Sequence, residues 1–134
     1  MHNGGEVTLE NLKRLSKDQR SAIVEYLREC PLYETAEVGD KDYLLVHSGL
    51  DNFSRERNLS DYTSEELLWA RPDLNDIYYD DVITVFGHTP TCYYGKEYKG
   101  RILRTKTWMD IDVGAGHGEE AVLLRLDDGS EYSL

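Results

Sequence analysis

The chain has 134 residues, enough for one domain with a substantial core and too few for two, and a composition of 40% hydrophobic and 31% charged residues is that of a globular protein. Lys and Arg number 15 against 26 Asp and Glu, and the resulting net charge of −11 repels a phosphate backbone, which excludes nucleic-acid binding through a broad basic surface. Cys30 and Cys92 are isolated and form no CxxC pair, and no window reaches the roughly 18 apolar residues of a membrane span, so the expected setting is reduced and cytoplasmic, without a membrane anchor or export.

Taken in order, the Gly4-Gly5 pair is by itself a flexible chain start, and Thr8 is placed to cap a short helix running to about Leu15. Ser16, with Gln19 three residues on, makes a capping box for a stronger helix whose Ile23, Leu27 and Cys30 form an apolar stripe before Pro31. That pattern describes an amphipathic helix packed on a sheet and carries no chemistry. Glu34 to Asp42 predicts a hairpin turning at Gly39-Asp40. It leads into the apolar run Tyr43-Leu44-Leu45-Val46, which ends in His47, Ser48 and Gly49. The polar stretch Asp51 to Asp61 predicts an irregular loop near His47 that carries Arg55, Glu56 and Arg57. Thr63 and Glu66 form a second capping box, for a short helix through Leu67, Leu68 and Trp69 that stops near Arg71 because Pro72 follows. For an arginine so placed the ordinary role is a surface ion pair, here with Asp73 or Asp76. Asp73 to Asp81 reads as an acidic, tyrosine-bearing loop facing solvent.

Asp81 to Pro90, DVITVFGHTP, repeats the pattern of the first histidine strand. Val82, Ile83, Val85 and Phe86 describe a strand buried on both faces, Gly87 allows a bend or a close approach, and Pro90 prevents continuation. His88 is thereby delivered to a strand's carboxyl end, where open α/β sheets place their ligands. Each histidine alone is ordinarily a hydrogen-bonded structural residue. Two strands that each end in one point to a metal or phosphate site, because neutral imidazole is the commonest metal ligand. Thr91 to Lys99 is a tyrosine-rich loop; Arg101 to Arg104, Thr107 to Val113 and Ala121 to Leu126 alternate as strands; Asp127-Asp128-Gly129 turns into an edge strand at Glu131 to Leu134. Many of these connections are antiparallel, so the sheet is mixed. GAGHG, Gly114 to Gly118 around His117, opens no helix and is not a dinucleotide fingerprint.

Four stretches, VHSGL at Val46 to Leu50, LLWARPD at Leu67 to Asp73, FGHTP at Phe86 to Pro90 and IDVGAGHG at Ile111 to Gly118, occur in the order and spacing of a known family. They resemble the carboxyl-terminal half of the bacterial phosphoprotein phosphatase (PPP) family of metallophosphoesterases, which includes serine/threonine phosphatases and diadenosine tetraphosphatase-like enzymes. HNGGEVTLENL, His2 to Leu12, resembles the segment that family carries just after its GNHE or GNHD motif. The GDxHG, GDxxDRG and GNHE motifs themselves do not occur in this sequence. The resemblance covers almost the whole chain. It implies an α/β (α+β) fold, a mixed β-sheet with flanking helices forming the carboxyl-terminal half of an αββα sandwich, with residues 1–134 a single partial calcineurin-like domain.

The resemblance also implies roles. His47 and His88 would both ligate the second metal of a dinuclear centre, Arg71 would grip the substrate phosphate, and Gly87 and His117 would lie beside the site. A guanidinium suits the task because its planar fork meets phosphate oxygens two at a time. No residue here is assigned a catalytic role, since the first metal's ligands, the bridging aspartate, the asparagine ligand and the acid-assisting histidine belong to the absent motifs. Divalent metal, manganese or else iron or zinc, is expected only where those ligands are supplied. The implied function is the carboxyl-terminal portion of a metal-dependent phosphoesterase acting on phosphomonoesters, phosphoproteins or dinucleoside polyphosphates, inactive as this chain alone. The alternative is a noncatalytic phosphate- or metal-binding remnant; a third reading is a structural protein whose histidines only satisfy hydrogen bonds. Besides a phosphorylated substrate, the expected partner is a second copy or an amino-terminal half, because strands apolar on successive residues need cover on two faces and the sequence offers one good amphipathic helix.

Overall fold

A computed structural model describes residues 5–134, so Gly4 of the glycine pair and the start of the His2 to Leu12 segment lie outside the described residues. The chain forms two compact units, Met1–Pro31 and Leu32–Leu134. Among the described residues no helix is long and apolar enough to cross a membrane.

The first unit holds α1 (Gly5–Lys13) and α2 (Lys17–Glu29). Thr8 lies inside α1 and does not cap it; the helix begins earlier, with Glu6 in the first turn where an acid favours the helix dipole. The second cap is as expected: Ser16 accepts from Gln19 N–H at 3.2 Å and Ser16 N–H donates to Gln19 Oε1 at 2.9 Å. Cys30, preceding Pro31, is extended and ends α2. No residue of α2 is buried, with Ile23 36% and Leu27 62% exposed.

The second unit is mixed α and β. Its main sheet has five strands in the order β1-β2-β3-β5-β4, formed by β1 (Tyr33–Val38), β2 (Lys41–Val46), β3 (Val82–Phe86), β4 (Leu103–Arg104) and β5 (Trp108–Asp110). β1 and β2 are the expected hairpin, antiparallel with Val38 opposite Lys41, and Gly39 at φ 67 supplies the turn. The centre is parallel, β2 to β3 to β5, and β4 returns antiparallel to β5. β6 (Val122–Leu124) and β7 (Glu131–Ser133) pair only with each other, so the last hairpin forms a separate two-stranded sheet and does not extend the main one.

Period-2 alternation gives the sheet two unlike faces. Leu44, Val46, Phe86 and Trp108 face one side and form the core with Leu50, Tyr62, Leu67 and Tyr78, all from the connection between β2 and β3. That connection contains α3 (Ser64–Leu68), whose cap is the expected box of Thr63 and Glu66. Only the carboxyl half of β3 is buried on both faces, at Thr84, Val85 and Phe86, while Val82 and Ile83 are half-buried. The deepest burial thus lies at the strand end from which His88 emerges.

Candidate functional site

His47 directly follows β2, and His88 follows β3 by two residues. Because β2 and β3 are adjacent and parallel, both histidines leave the sheet at the same edge. The Gly87 N–H donates to His47 O at 3.0 Å, which carries the pairing one step past the strands. As a result His47 Nε2 and His88 Nδ1 lie 3.0 Å apart, with the rings edge to face and centroids 4.8 Å apart. A hydrogen bond between two imidazole nitrogens needs one protonated and one bare. The His88 pKa is lowered, first by burial and then by the charges of His47 and Arg71, against a smaller opposing effect of Asp112. The neutral, ligating form of His88 is therefore favoured. Its other nitrogen, Nε2, is buried and has no hydrogen-bond partner.

The bend expected at Gly87 occurs one residue later. Gly87 has no positive φ, and a Cβ there would meet Asp112 Cβ at 3.5 Å, an ordinary contact. His88 itself is left-handed, at φ 73. For a residue with a Cβ that conformation costs on the order of 1 kcal/mol, and here it turns the imidazole back toward His47.

The chain just before Arg71, whose charge acts on His88, is held by a clasp. Ser48, buried, donates its hydroxyl to Leu67 O at 2.9 Å and accepts from Ala70 N–H at 2.9 Å. Ser48 N–H also donates to Leu67 O, at 3.3 Å. The end of α3 is thus tied to the residue after His47, and Arg71 follows Ala70. The ion pair ordinary for an arginine so placed is not formed: among the described residues Arg71 has no ion pair or hydrogen bond, and Asp76 Oδ2 accepts from Asp73 N–H at 2.8 Å. Arg71 is exposed and lines a cavity of about 310 Å³ together with Phe53, Ile77 and Tyr78. The loop arginines are engaged elsewhere, Arg57 with Glu66 and Arg55 with Asp80.

Two neighbours of the pair, Trp69 and Asp112, and the buried Asp110 beside Asp112 are not singled out by the sequence. Trp69, 51% exposed, presents its ring edge to face with His88 at 5.4 Å between centroids. The sequence pattern places it in the apolar turn of α3, but as the C-cap at φ −128 and ψ 8 it leaves the helical path. Asp112 ties the segment after His88 to the chain beyond β5, its carbonyl accepting from Thr91 N–H at 2.8 Å and its Oδ1 accepting from Gly114 N–H at 3.1 Å. Asp110, at the end of β5, is 0% exposed; Oδ1 accepts from Asp112 N–H at 2.9 Å and Oδ2 has no partner. Burial pushes its pKa up to about 8. No periodicity marks these residues, since each is defined by what it touches across loops.

His117 closes a short 3₁₀ turn, Ala115–His117, and is exposed. Gly114 and Gly118, at φ 96 and 94, flank that turn in a conformation that favours glycine. Gly116 has no such need. Among the described residues no three His, Cys, Asp or Glu side chains gather as a metal group. No family model matches the chain, and no curated protein matches it.

Proposed function

We propose that this chain is the histidine- and arginine-bearing part of a metal-dependent phosphoesterase site, of the half-sandwich kind its motifs resemble. The observation that carries the reading is the close pair of His47 Nε2 and His88 Nδ1 at neighbouring parallel strand ends, 3.0 Å apart. Two nitrogens about 2.1 Å from one ion and at a right angle to each other stand about 3.0 Å apart, so the pair fits one edge of a single ion's shell. The unpaired guanidinium of Arg71, whose charge is felt at His88, supports a phosphate grip beside it. When bound, a divalent ion would supply a water of lowered pKa and neutralise phosphoryl charge. This chain's own residues would orient the ion through two imidazoles and the phosphate through Arg71.

Two imidazoles do not complete a coordination shell. The remaining ligands would come from an amino-terminal half or another chain, and the substrate would be a phosphomonoester, phosphoprotein or dinucleoside polyphosphate. The second reading, a noncatalytic phosphate- or metal-binding module that associates with itself or a partner, is favoured by the lack of a third ligand group among the described residues.

The test is titration of the chain with Mn²⁺ and Zn²⁺, followed by phosphate. Saturable metal binding that is lost in both His47→Ala and His88→Ala, with phosphate binding weakened by Arg71→Ala while metal binding persists, is expected. Metal binding unaffected by either histidine variant would overturn the proposal. Hydrolysis of p-nitrophenyl phosphate by the chain alone is expected to be negligible with Mn²⁺. Metal-dependent turnover abolished by the histidine variants would show instead that the chain supplies a complete site.

A further inference from the structure

The face of the main sheet turned away from the core carries a second cavity, of about 300 Å³, open to solvent and lined by the strands and the β6–β7 arm. Its floor follows from strand alternation. Tyr43 and Ile83 are in register on β2 and β3, and Met109 pairs with Val85, two residues beyond Ile83. All three therefore share the face opposite Leu44, Phe86 and Trp108. Tyr43 is 3% exposed, whereas Ile83 and Met109 are half-buried, so the floor is apolar and incompletely covered. The arm is held over it by Tyr43 Oη donating to Leu126 O at 3.2 Å and by an Arg104–Glu131 ion pair at 2.6 Å.

The rim carries three cations, Lys41, Arg104 and Arg125. Arg104 is paired with Glu131, and Arg125 with Asp127 and Asp128. Lys41 has no ion-pair partner among the described residues. We propose that this cavity binds a small monoanion with an apolar body, of the medium-chain carboxylate class, its chain on Ile83 and Met109 and its carboxylate at Lys41. The volume lies at the lower limit of ligand pockets, which span about 300–1,000 Å³, and this restricts the ligand to a short molecule. The rim as a whole is neutral, its three cations matched by Glu131, Asp127 and Asp128, so a single negative group is accommodated only where Lys41 stands without a partner. Lys41 opens β2 and His47 follows its end, a distance of about 20 Å along the strand. The site is therefore separate from the histidine pair and does not depend on the function proposed for it.

The experiment uses the full ¹⁵N-labelled chain with octanoate and, as its neutral counterpart, 1-octanol. Octanoate is expected to give saturable amide shifts at Lys41, Tyr43 and Leu126, and to bind more tightly than octanol. Lys41→Gln, at an exposed position, should weaken octanoate about tenfold, the loss of one charge-assisted contact, and leave octanol unchanged. Ile83→Trp, which fills the floor, should abolish both while the unfolding transition is retained. Equal affinity for the two probes, an unchanged octanoate affinity in Lys41→Gln, or shifts confined to residues 5–31 would overturn the proposal, as would the absence of saturable shifts at millimolar octanoate.

Discussion

At His88 three pressures act in one direction: burial, the neighbouring His47 and the Arg71 charge all disfavour the imidazolium. NMR titration of the ring protons should therefore give a midpoint below the ordinary 6.5, and Arg71→Gln should raise it by removing a like charge. The unfolded chain binds the proton more readily, so the stability tied to neutral His88 is present above about pH 6.5 and lost as pH falls through the folded midpoint. An unshifted His88 would remove the electrostatic case for Arg71 beside it. Asp110 behaves oppositely. Its folded pKa of about 8 lies above the usual 3.8, so the folded state holds the proton more tightly between those values and stability declines as pH rises through that window. Asp110→Asn keeps an acceptor for Asp112 N–H and carries no charge. Urea unfolding should find it more stable than the parent at pH 8 and little changed near pH 4; a destabilised variant at pH 8 would show that the ionised carboxylate has a stabilising partner.

At the scale of elements, α3 and α2 are capped by the same device yet should contribute differently. Thr63 and Glu66 cap a helix that buries Leu67 in the core, so Thr63→Ala should cost about 1 kcal/mol in the main unfolding transition. Ser16→Ala should lower helicity without shifting that transition, because nothing in α2 is buried. Ser48 joins an element to the site. Ser48→Ala would strand the Ala70 N–H in a buried position, at a cost of about 1–3 kcal/mol. It would also release the segment carrying Arg71, so phosphate binding should weaken even though the arginine remains. Calorimetry of phosphate binding in folded Ser48→Ala checks this, and an unchanged affinity would mean that Arg71 is positioned by something else.

For the whole molecule, the exposed apolar side chains of α2, Ile23, Val24 and Leu27, favour association between copies. The charge of −11 opposes it. Light scattering at micromolar concentration should give a dimer mass, with the dimer fraction rising from low to physiological ionic strength as repulsion is screened. The double variant Ile23→Glu and Leu27→Glu should be monomeric. A monomer at all salt concentrations in the parent would indicate that the stripe stays in water.

Local chemistry made a large part of this protein legible in its sequence. The boxes Ser16–Gln19 and Thr63–Glu66, the Gly39 hairpin, and the two apolar runs ending in His47 and His88 all depend on residues a few positions apart, where propensity and spacing act directly. The mixed sheet followed from their order. What tertiary structure decided were the matters that depend on distant partners. Parallel pairing of β2 with β3 brings two histidines 41 positions apart in sequence into hydrogen-bonding distance. The left-handed backbone falls on His88 and not on the glycine before it, a choice that no local signal in the sequence marks. Burial leaves Asp110 with an unpaired oxygen, and the last hairpin leaves the main sheet to roof a cavity on its other face. An alternating pattern states that a strand has two faces; what covers each face is determined by where the rest of the chain packs.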